Sequence, residues 1–444
     1  MSIEHLLAGD FRSQPYWWDR APPQIINRGF IPPTIDIAVI GGGFTGIVAA
    51  LTLARAGRGV VLFDGEAIGL GASRRNAGLL NRNPKKSFRE VSKSKGLDFA
   101  KEFYRERSEA METVISIIRR EQIDCHLDLN GRFIAASCPA HRESLVREAK
   151  LRKQHLNIKY EIVDRSEQHK HINSDAFFGG VLLPDQGSLH PGLYHQGLVD
   201  RAQLAGVTIA GNTLIHSVEP EGKGKKHRVR GEGVDLLADH VILATNGYTS
   251  RNFGWFARRL IPFRGYMAAT EVLSPELLSK VMPSGCDVHD TNFDSVSFRH
   301  APDASRILFH AATTSNMGSV GEIAARLHAV LERIIPALEG VKLSHVWTGK
   351  CAGTFDLTPH MGRHKGIWYG LGYNFGGIPM ATHFGIKIAQ QILGLPEGKS
   401  IYEQLSFRTM PFYFGNPWFI PYAMRYFAWK DARAAQKSSP VQFR

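Results

Sequence analysis

The chain has 444 residues, of which 43% are hydrophobic, and a formal net charge of +13. This is an ordinary globular composition, long enough for a large core and two domains at roughly 100 to 200 residues per domain. The basic residues are spread along the chain without the interleaved aromatic and basic side chains of a nucleic-acid platform, so nucleic acid is not expected as a partner. The densest basic run, Lys223 to Arg228, is interpreted as a solvated hairpin tip. The positive field still leaves anionic substrates, an acidic partner protein or a membrane surface open.

The cysteines are few and scattered, without a Cys-x-x-Cys pair or a metal-ligand spacing (Cys125, Cys138, Cys286 and Cys351). This pattern predicts a reduced, cytoplasmic setting and no metal site. The sequence does not begin like a secretion signal. It also lacks an apolar run of the roughly 18 residues that would span a bilayer. The aromatic segment 412–427 is broken by Pro417 and Pro421 and is interpreted as a packing tail, with peripheral membrane contact as the alternative.

A dinucleotide-binding pattern begins at the strand Ile37 to Ile40, which runs into Gly41, Gly43 and Gly46. A side chain at Gly41 would block the tight turn, and one at Gly43 would block a pyrophosphate. Gly46 lets the following helix pack closely on the strand.

The helix after this turn, predicted over 44–56, directs its N-terminal amides and the positive end of its dipole at the phosphates. Asp64 ends the next strand, Val60 to Phe63. Its carboxylate would accept hydrogen bonds from both ribose hydroxyls and would repel a 2′-phosphate. The pattern therefore predicts a dinucleotide cofactor and disfavours NADP.

Two later segments resemble the first in their sequence of strand and small-residue turn. The buried strand starting at His240 ends in the turn Ala244 to Gly247, and the strand 366–371 ends in the glycine-rich turn 372–377. A helix predicted over 378–393 follows the last turn and offers a second set of N-terminal amides. The cofactor-binding parts are thus spread over the beginning, middle and end of the chain, and the intervening segments must form another domain. One of these segments is a long amphipathic helix predicted over 97–121.

These turns in this order, together with the run Gly69 to Gly78 and the segment Trp347 to Gly362, resemble the D-amino-acid-oxidase-like family of FAD-dependent oxidoreductases. The resemblance covers roughly residues 30 to 395 and is closest to the amine-oxidising branch, which includes glycine oxidase, sarcosine oxidase and oxidoreductases of γ-glutamylputrescine. It implies an α/β fold in which a Rossmann-type FAD-binding domain is interleaved with an α+β substrate domain built on a mixed antiparallel sheet. The expected division is 30–95, 170–255 and 345–400 for the FAD-binding domain, 96–169 and 256–344 for the substrate domain, 1–29 for an N-terminal arm and 401–444 for a C-terminal tail.

The resemblance also implies which residues contact FAD. These are Gly41, Gly43, Phe44, Thr45, Gly46, Asp64, Gly71, Ala72, Ser73, Arg74, Arg75, Asn76, Ala77, Gly78, Val218, Ala244, Thr245, Asn246, Gly247, Cys351, Gly372, Tyr373, Asn374, Phe375, Gly376, Gly377 and Ile378. Arg74 replaces a glycine that is usual in the family, and it would either place a positive group near the flavin or point to solvent. Val218 would lay its backbone against the adenine. Cys351 lies in Lys-Cys-Ala-Gly-Thr, which is similar to the family's flavin-linking setting. Because a buried cysteine usually serves as a small apolar residue in the core, FAD is expected to bind non-covalently, with a thioether link at Cys351 as the alternative.

The substrate end departs from the family in two places. Cys351 stands where an arginine grips the substrate carboxylate in glycine oxidase-like members, and Pro379 stands where sarcosine oxidase-like members have a carboxylate-binding lysine. A simple α-amino acid is therefore disfavoured, and an amine or a larger amino compound whose anionic end lies elsewhere is favoured. The resemblance places Tyr266, Arg299, His310, Tyr373 and Phe375 around the substrate, with Arg299 meeting an anionic end. His190 is expected to order its loop rather than to move protons.

The implied activity is oxidation of the C–N bond of a primary or secondary amine, or of an amino acid derivative, by hydride transfer to flavin N5. The imine product then hydrolyses to a carbonyl compound and an amine or ammonia. Two alternatives stay open: a flavin-dependent monooxygenase or hydroxylase, and a non-catalytic FAD-binding subunit of a hetero-oligomeric dehydrogenase. The expected partner is a small molecule, and the chain is expected to act as a monomer or homo-oligomer.

Overall fold

The computed structural model describes residues 3–222, 226–314 and 318–438. The strands in chain order are β1 Leu7–Arg12, β2 Thr34–Ile40, β3 Val60–Phe63, β4 Leu79–Leu80, β5 Arg132–Ala135, β6 Glu161–Val163, β7 Gly180–Leu183, β8 Gly187–Ser188, β9 Thr208–Ala210, β10 Ile215–Pro220, β11 His227–Gly231, β12 Val234–Leu243, β13 Ile261–Thr270, β14 Asp287–Asp290, β15 Ser297–His300, β16 Ile307–Thr314, β17 Leu343–Gly353, β18 His360–His364 and β19 Ile367–Leu371. The helices are α1 Phe44–Arg55, α2 Phe88–Lys95, α3 Leu97–Arg120, α4 Pro139–Leu156, α5 Pro191–Leu204, α6 Gly254–Ala257, α7 Pro275–Val281, α8 Val320–Ile334, α9 Gly377–Ile392 and α10 Ile420–Ser438.

The first large sheet, called here the nucleotide sheet, has the order β10-β11-β12-β2-β3-β9. On one side the long strand β12 pairs with β11 along its first half and with β19 along its second half. Strand β18 pairs in turn with β19. Strands β9, β3, β2, β12 and β19 run parallel. Leu243 lies opposite both Ile40 and Tyr369, so the carboxyl ends of β2, β12 and β19 reach the same edge. The glycine-rich turns that follow these strands therefore meet there.

Helices α1, α3, α5 and α9 cover this sheet and share its main apolar core. Close approach of α1 and α9 depends on a missing side chain, because a Cβ at Gly385 would lie 2.6 Å from the Thr45 carbonyl oxygen. Helix α3 belongs to this core although it falls within the segment expected for the substrate domain. Strand β7 lies in the other large sheet although it falls within the segment expected for the FAD-binding domain. Strand β17 also lies in that sheet although most of it falls within the 345–400 segment, so the expected division departs from the sheets at these three elements and otherwise stays a proposal.

The second large sheet, called here the substrate sheet, has the order β1-β17-β13-β16-β15-β14-β5-β7-β6. Its centre, from β17 to β14, is antiparallel, whereas β1 joins β17 and β5 joins β14 in parallel. Helix α8 packs against it through Leu327 and Leu331, both buried in the core of this sheet. The mixed, mostly antiparallel sheet agrees with the expectation from the sequence.

The N-terminal arm does more than wrap the surface, because it supplies the edge strand β1. Its Trp17 is fully buried, and the indole nitrogen donates a hydrogen bond of 2.8 Å to the Asn76 carbonyl oxygen. The arm thus joins an edge of the substrate sheet to the loop expected beside the flavin.

The C-terminal segment is only partly a packing tail. Tyr413 and Ile420 are buried, but six large aromatic side chains are more than half exposed: Phe412, Phe414, Trp418, Tyr422, Tyr426 and Trp429. The interpretation of 412–427 as a packing tail is therefore wrong for the five of these residues that lie in it: Phe412, Phe414 and Trp418 are exposed before α10 begins, and Tyr422 and Tyr426 are exposed on that helix. Within the described residues, no helix combines the length and the apolar character needed to cross a membrane.

Strands β10 and β11 form an antiparallel hairpin, as the basic run predicts, but 223–225 at its tip lie outside the described residues. The four cysteines are free thiols. In the described ranges, no group of three or more His, Cys, Asp or Glu side chains is arranged to hold a metal ion.

Candidate active site

A cavity of about 1030 Å³ lies where the carboxyl edge of the nucleotide sheet meets the substrate sheet. The first glycine turn, the loop around Ser73, the turn after β12 and the turn before α9 line one part. Strands of the substrate sheet line the other part. An elongated cavity joining two domains in this way is typical of a cofactor site that continues into a substrate site.

Steric crowding explains the glycines of the first turn. Gly41 has a φ of +106°, and a Cβ there would lie 2.8 Å from the Ala244 carbonyl oxygen. A Cβ at Gly46 would lie 1.9 Å from the Gly41 carbonyl oxygen. Helix α1 then begins at Phe44 without a side-chain cap from Gly43, and its N-terminus borders the cavity. The Phe44 amide donates to the Ser73 hydroxyl at 3.0 Å.

Asp64 lines the cavity beside this turn. One of its carboxylate oxygens accepts a hydrogen bond of 2.8 Å from the Gly42 amide, and the other accepts one of 3.1 Å from the Glu66 amide. Burial raises the pKa of Asp64 to about 6, so the carboxylate is still mainly ionised at neutral pH. It is placed to accept hydrogen bonds from a ribose.

Arg74 and His195 form a buried hydrogen-bonded pair that supports the first glycine turn. The Nε of Arg74 donates to Nδ1 of His195 at 3.0 Å, and Nε2 of His195 lies 2.7 Å from the Gly42 carbonyl oxygen. Since Nδ1 accepts from Arg74, Nε2 must carry the proton and donate to Gly42. Another Arg74 nitrogen donates to the Pro22 carbonyl oxygen. Arg74 therefore neither approaches the flavin position nor points to solvent, which corrects both expectations: its guanidinium is used to hold the glycine turn.

One asparagine side chain joins the second turn to the third, and another braces the third turn internally. Oδ1 of Asn246 accepts from the Gly372 amide at 2.9 Å, and Nδ2 of Asn374 donates to the Gly372 carbonyl oxygen at 2.6 Å. Asn374 and Phe375 both adopt positive φ, +48° and +67°. Such backbone is uncommon outside glycine and is often found at functional sites. Helix α9 starts at once afterwards, with its N-terminus open to the cavity.

Most of the residues expected to contact FAD line the cavity. They are Gly41, Gly43, Phe44, Thr45, Asp64, Gly71, Ala72, Ser73, Arg75, Asn76, Ala77, Ala244, Thr245, Asn246, Cys351, Tyr373, Asn374, Phe375, Gly376, Gly377 and Ile378. Gly46, Gly78, Gly247 and Gly372 lie behind this lining and are crowded by neighbouring atoms. At Gly247, for example, a Cβ would lie 2.6 Å from the Cys351 carbonyl oxygen. Val218 lies outside the lining and packs against another core cluster, because β10 has already left the cavity at that point. Thr213, Leu214 and Ile215 border the cavity instead.

The floor of the substrate part is one row of side chains across the substrate sheet. The strand register aligns Ile134, His289, Ser297, His310 and Met267 on neighbouring strands, and all of them line the cavity. Two of them are imidazoles. Burial, followed by the positive charge of Lys85, lowers the pKa of His310 to about 4. Burial and nearby cations also lower the pKa of His289 well below its usual value. Both rings are therefore uncharged at neutral pH.

Three of the five residues expected around the substrate line the cavity: His310, Tyr373 and Phe375. Tyr373 is engaged there, because its hydroxyl lies 2.5 Å from the Thr45 hydroxyl. Tyr266 is outside the cavity lining. Because side chains alternate between the two faces of β13, the neighbouring Met267 faces the cavity and Tyr266 packs in the core on the opposite face. Arg299 is also outside it, because its guanidinium donates to the Leu189 carbonyl oxygen at 2.8 Å and to the Ala77 carbonyl oxygen at 3.1 Å.

His190 has the ordering role expected for it. It is the N-cap of α5, and its Nδ1 accepts a hydrogen bond of 3.1 Å from the Leu193 amide. Burial lowers its pKa to about 3.

The sequence analysis missed Lys85, Arg132, His289 and Asp290, which also line the cavity. Lys85 lies in a polar loop after β4 without a recognisable motif. The other three lie on short strands whose pairing brings them to the cavity. A charged side chain in an otherwise apolar strand was the available signal for Arg132, whereas the strand of His289 also contains Asp287 and Asp290 and shows no such contrast.

The fold and the site define a dinucleotide-binding protein in which a Rossmann-type sheet and a mixed substrate sheet enclose a common cavity. The family described as FAD dependent oxidoreductase matches residues 36–391. The chain belongs to this family.

Curated relatives and solved structures agree with this assignment. A probable oxidoreductase OrdL of Haemophilus influenzae is 30% identical over 380 residues, which cover 83% of this chain and 85% of that protein. The gamma-glutamylputrescine oxidoreductase of Escherichia coli is 27% identical over 393 residues, with coverage of 88% and 90%. The crystal structure of glycine oxidase from Geobacillus kaustophilus has the same fold, with a TM-score of 0.71, 19% identity and coverage of 86% and 99%.

Proposed function

We propose that this FAD-dependent oxidoreductase oxidises the C–N bond of a primary or secondary amine or of an amino acid derivative. The observation that carries the proposal is the continuous cavity, which joins the glycine turns to a sheet floor bearing uncharged imidazoles. The names of the relatives supply the chemistry, since they include oxidoreductases of a glutamyl amine and of glycine. The product imine would then hydrolyse to a carbonyl compound and an amine or ammonia.

The residues present fit FAD. Two helix N-termini, those of α1 and α9, follow a glycine at the N-cap position and open on the cavity without a side-chain cap from that residue. The first would receive the pyrophosphate and the second the electron-rich edge of the flavin ring. Asp64 would hold the ribose. When bound, FAD supplies the acceptor for the hydride that leaves the substrate carbon.

The protein's own groups would orient the substrate and keep its nitrogen uncharged. His310 is hydrogen-bonded to the backbone of Ser295, and its Nε2 has no hydrogen-bond partner among the described residues. That nitrogen would accept a hydrogen bond from the amine. The nearby positive charges of Lys85 and Arg132 disfavour an ammonium group and so lower the substrate's pKa. Phe375 and Met267 exclude water from the same region.

We further propose that FAD is held without a covalent bond, because burial raises the pKa of the Cys351 thiol to about 12 and leaves little thiolate to react. We retain the reduced cytoplasm as the setting, since the four cysteines are free thiols.

The test is anaerobic mixing of the FAD-loaded protein with a panel of amines and amino acids, followed by its visible spectrum. Bleaching of the flavin without a nicotinamide supports amine oxidation. Reduction by NADH or NADPH alone would instead indicate a hydroxylase, and a flavin that no donor reduces would indicate a non-catalytic subunit. Either of these two outcomes overturns the proposal.

A further inference from the structure

Two cations at the far end of the cavity lack the carboxylate partners that buried charges normally have. The side chain of Lys85 is exposed to the cavity that it lines, and its ammonium lies 5.4 Å from the centre of the Phe375 ring. Arg132 is 5% exposed, and its buried Nε has no hydrogen-bond partner within the described part of the chain. Neither forms an ion pair with a carboxylate of the described residues. Because a buried guanidinium without a carboxylate partner is costly, and Lys85 adds a second positive charge to the same lining, the two residues are arranged for an anion that binds from the cavity.

The surrounding groups do not neutralise this end of the cavity. Asp287, which lies opposite Arg132 in the sheet, is shared between the charges of Arg132 and Arg299. Asp290 and Asp294 both attract the charge of Lys85 without forming an ion pair with it, and burial raises the pKa of Asp290 to about 7, so about half of Asp290 is protonated at neutral pH. Asp290 already accepts hydrogen bonds from the Val296 amide at 2.9 Å and from Asn292 Nδ2 at 2.7 Å. His289 is uncharged, so it adds a polar group without adding an opposite charge.

The position of the pair differs from that of a clamp for a small α-amino acid. Arg132 is on β5, three strands from His310 on β16 and five strands from Cys351 on β17. At about 4.8 Å between neighbouring strands, these separations are roughly 14 Å and 24 Å along the sheet. Lys85 acts within the first of these separations, because its positive charge lowers the pKa of both His289 and His310. An anion held there belongs to a substrate that extends along the sheet floor.

We propose that Lys85 and Arg132 form a subsite for a carboxylate at the far end of the substrate. The substrate class would then be amines that carry a carboxylate several bonds from the oxidised C–N bond. This inference rests on the proposed amine oxidation for the identity of the ligand, but the anion subsite itself is testable without turnover.

The binding test uses calorimetry on the FAD-loaded protein with hexanoate and, as the uncharged match, hexanamide. We expect hexanoate to bind more tightly than hexanamide and Lys85→Met to weaken hexanoate binding about 10-fold to 100-fold, as for loss of a charge-assisted hydrogen bond. Lys86→Met removes the same charge from the adjacent residue, whose side chain does not line the cavity, and should leave hexanoate binding unchanged. Equal binding of hexanoate to wild type and Lys85→Met, or equal binding of hexanoate and hexanamide, overturns the subsite.

Arg132 needs a milder change, because its removal takes one of two neighbouring cations away from the buried Asp287. Arg132→Lys keeps the charge and removes the planar fork, so we expect a smaller loss of hexanoate affinity than in Lys85→Met. Unchanged affinity in Arg132→Lys, with a melting temperature equal to that of wild type, excludes Arg132 from the subsite.

The turnover test compares ω-amino acids of increasing length with the alkylamines of the same length. We expect kcat/KM to rise with length for the ω-amino acids, and Lys85→Met to abolish their advantage while sparing the alkylamines. A protein that no amine reduces, but that binds hexanoate through Lys85, refutes amine oxidation and retains the anion subsite. A protein that oxidises alkylamines and ω-amino acids equally well, before and after the substitution, retains amine oxidation and refutes the subsite.

Discussion

At the scale of single residues, the interior is built around histidines that burial keeps uncharged. Burial lowers the pKa of His190 and of His195 to about 3, and that of His310 to about 4. Neighbouring cations add to the effect, namely Arg74 for His195 and Lys85 for His310. A neutral imidazole donates from one nitrogen and accepts at the other, and this is the pattern that His195 uses between Arg74 and Gly42.

The neutral state of His190 predicts a pH-dependent effect of His190→Asn. Asparagine keeps an N-cap acceptor for α5 but does not titrate. The folded-state pKa of His190 is below its unfolded value, so below about pH 6.5 the unfolded chain takes up a proton that the folded chain does not. The free energy of unfolding of wild type therefore falls as the pH decreases, and His190→Asn should gain about 2 kcal/mol relative to wild type between pH 7 and pH 5.

Urea unfolding of both proteins at pH 5, 6 and 7 measures this difference. Asp64 and Asp290, whose raised pKa values act in the opposite direction, are present in both proteins and cancel. A difference in unfolding free energy that does not vary with pH would show that the pKa of His190 is the same in the folded and unfolded protein.

The thiol of Cys351 lines the cavity and carries the second prediction at this scale. Because burial raises its pKa to about 12, we expect FAD to leave the protein on denaturation, and Cys351→Ala to bind as much FAD as wild type. Flavin fluorescence of protein bands after denaturing electrophoresis measures the covalent fraction. A fluorescent wild-type band that disappears in Cys351→Ala would instead establish a thioether link.

At the scale of elements, the strand-turn-helix units were predictable from the sequence because each is coded locally. The helix predicted over 97–121 is observed as Leu97–Arg120, and that predicted over 378–393 as Gly377–Ile392. Periodicity and glycine placement determine such elements without reference to the rest of the chain. The roles of Arg74 and Val218 were not predictable, because they depend on which neighbours fold against the loop and on where a strand leaves the sheet edge.

The substrate end was harder to predict for the same reason. His289, Ser297 and His310 become neighbours only through the register of three strands. Lys85 reaches them from a loop more than 200 residues earlier in the chain. No local pattern encodes such long-range pairing, so only His310, Tyr373 and Phe375 were correctly placed at the cavity.

The packing of α1 on β2 leads to a prediction for Gly46. A Cβ there would lie 1.9 Å from the Gly41 carbonyl oxygen, so Gly46→Ala must displace the turn or the helix. We expect FAD affinity to fall at least 100-fold, because the displaced amides no longer meet the pyrophosphate. Gly59→Ala is the matched control, since its Cβ would have 3.8 Å to the nearest atom.

Flavin fluorescence quenching during titration with FAD gives both affinities. Wild-type affinity in Gly46→Ala would show that the turn relaxes without cost and that its amides are not essential for binding. Circular dichroism of the variant without FAD distinguishes a displaced turn from a chain that has failed to fold.

At the scale of the whole molecule, the N-terminal arm supports the elements around the cavity, and a helix near the C-terminus contributes to its lining. The N-terminal arm supplies β1 to the substrate sheet and buries Trp17 against the loop of Asn76. The C-terminal helix α10 contributes Phe427, Lys430 and Asp431 to the cavity lining. These segments lie outside residues 36–391, which match the family.

The contact between α10 and the 290–295 loop predicts how the cavity mouth is controlled. The rings of Phe427 and Phe293 stack with centroids 3.5 Å apart and planes 8° apart, and the Phe293 amide donates to Asp431 at 2.9 Å. An aromatic pair of this kind contributes about 0.5 to 1.5 kcal/mol. Phe427→Ala should therefore release α10 part of the time, which increases tryptic cleavage after Arg425 and raises KM for a reactive amine several-fold with little change in kcat.

Trp429 lies on the same helix but is 53% exposed, so Trp429→Ala should leave both the cleavage rate and KM unchanged. If Phe427→Ala and Trp429→Ala have the same proteolysis rate and the same KM, α10 does not control access, and substrate must enter at another part of the cavity rim.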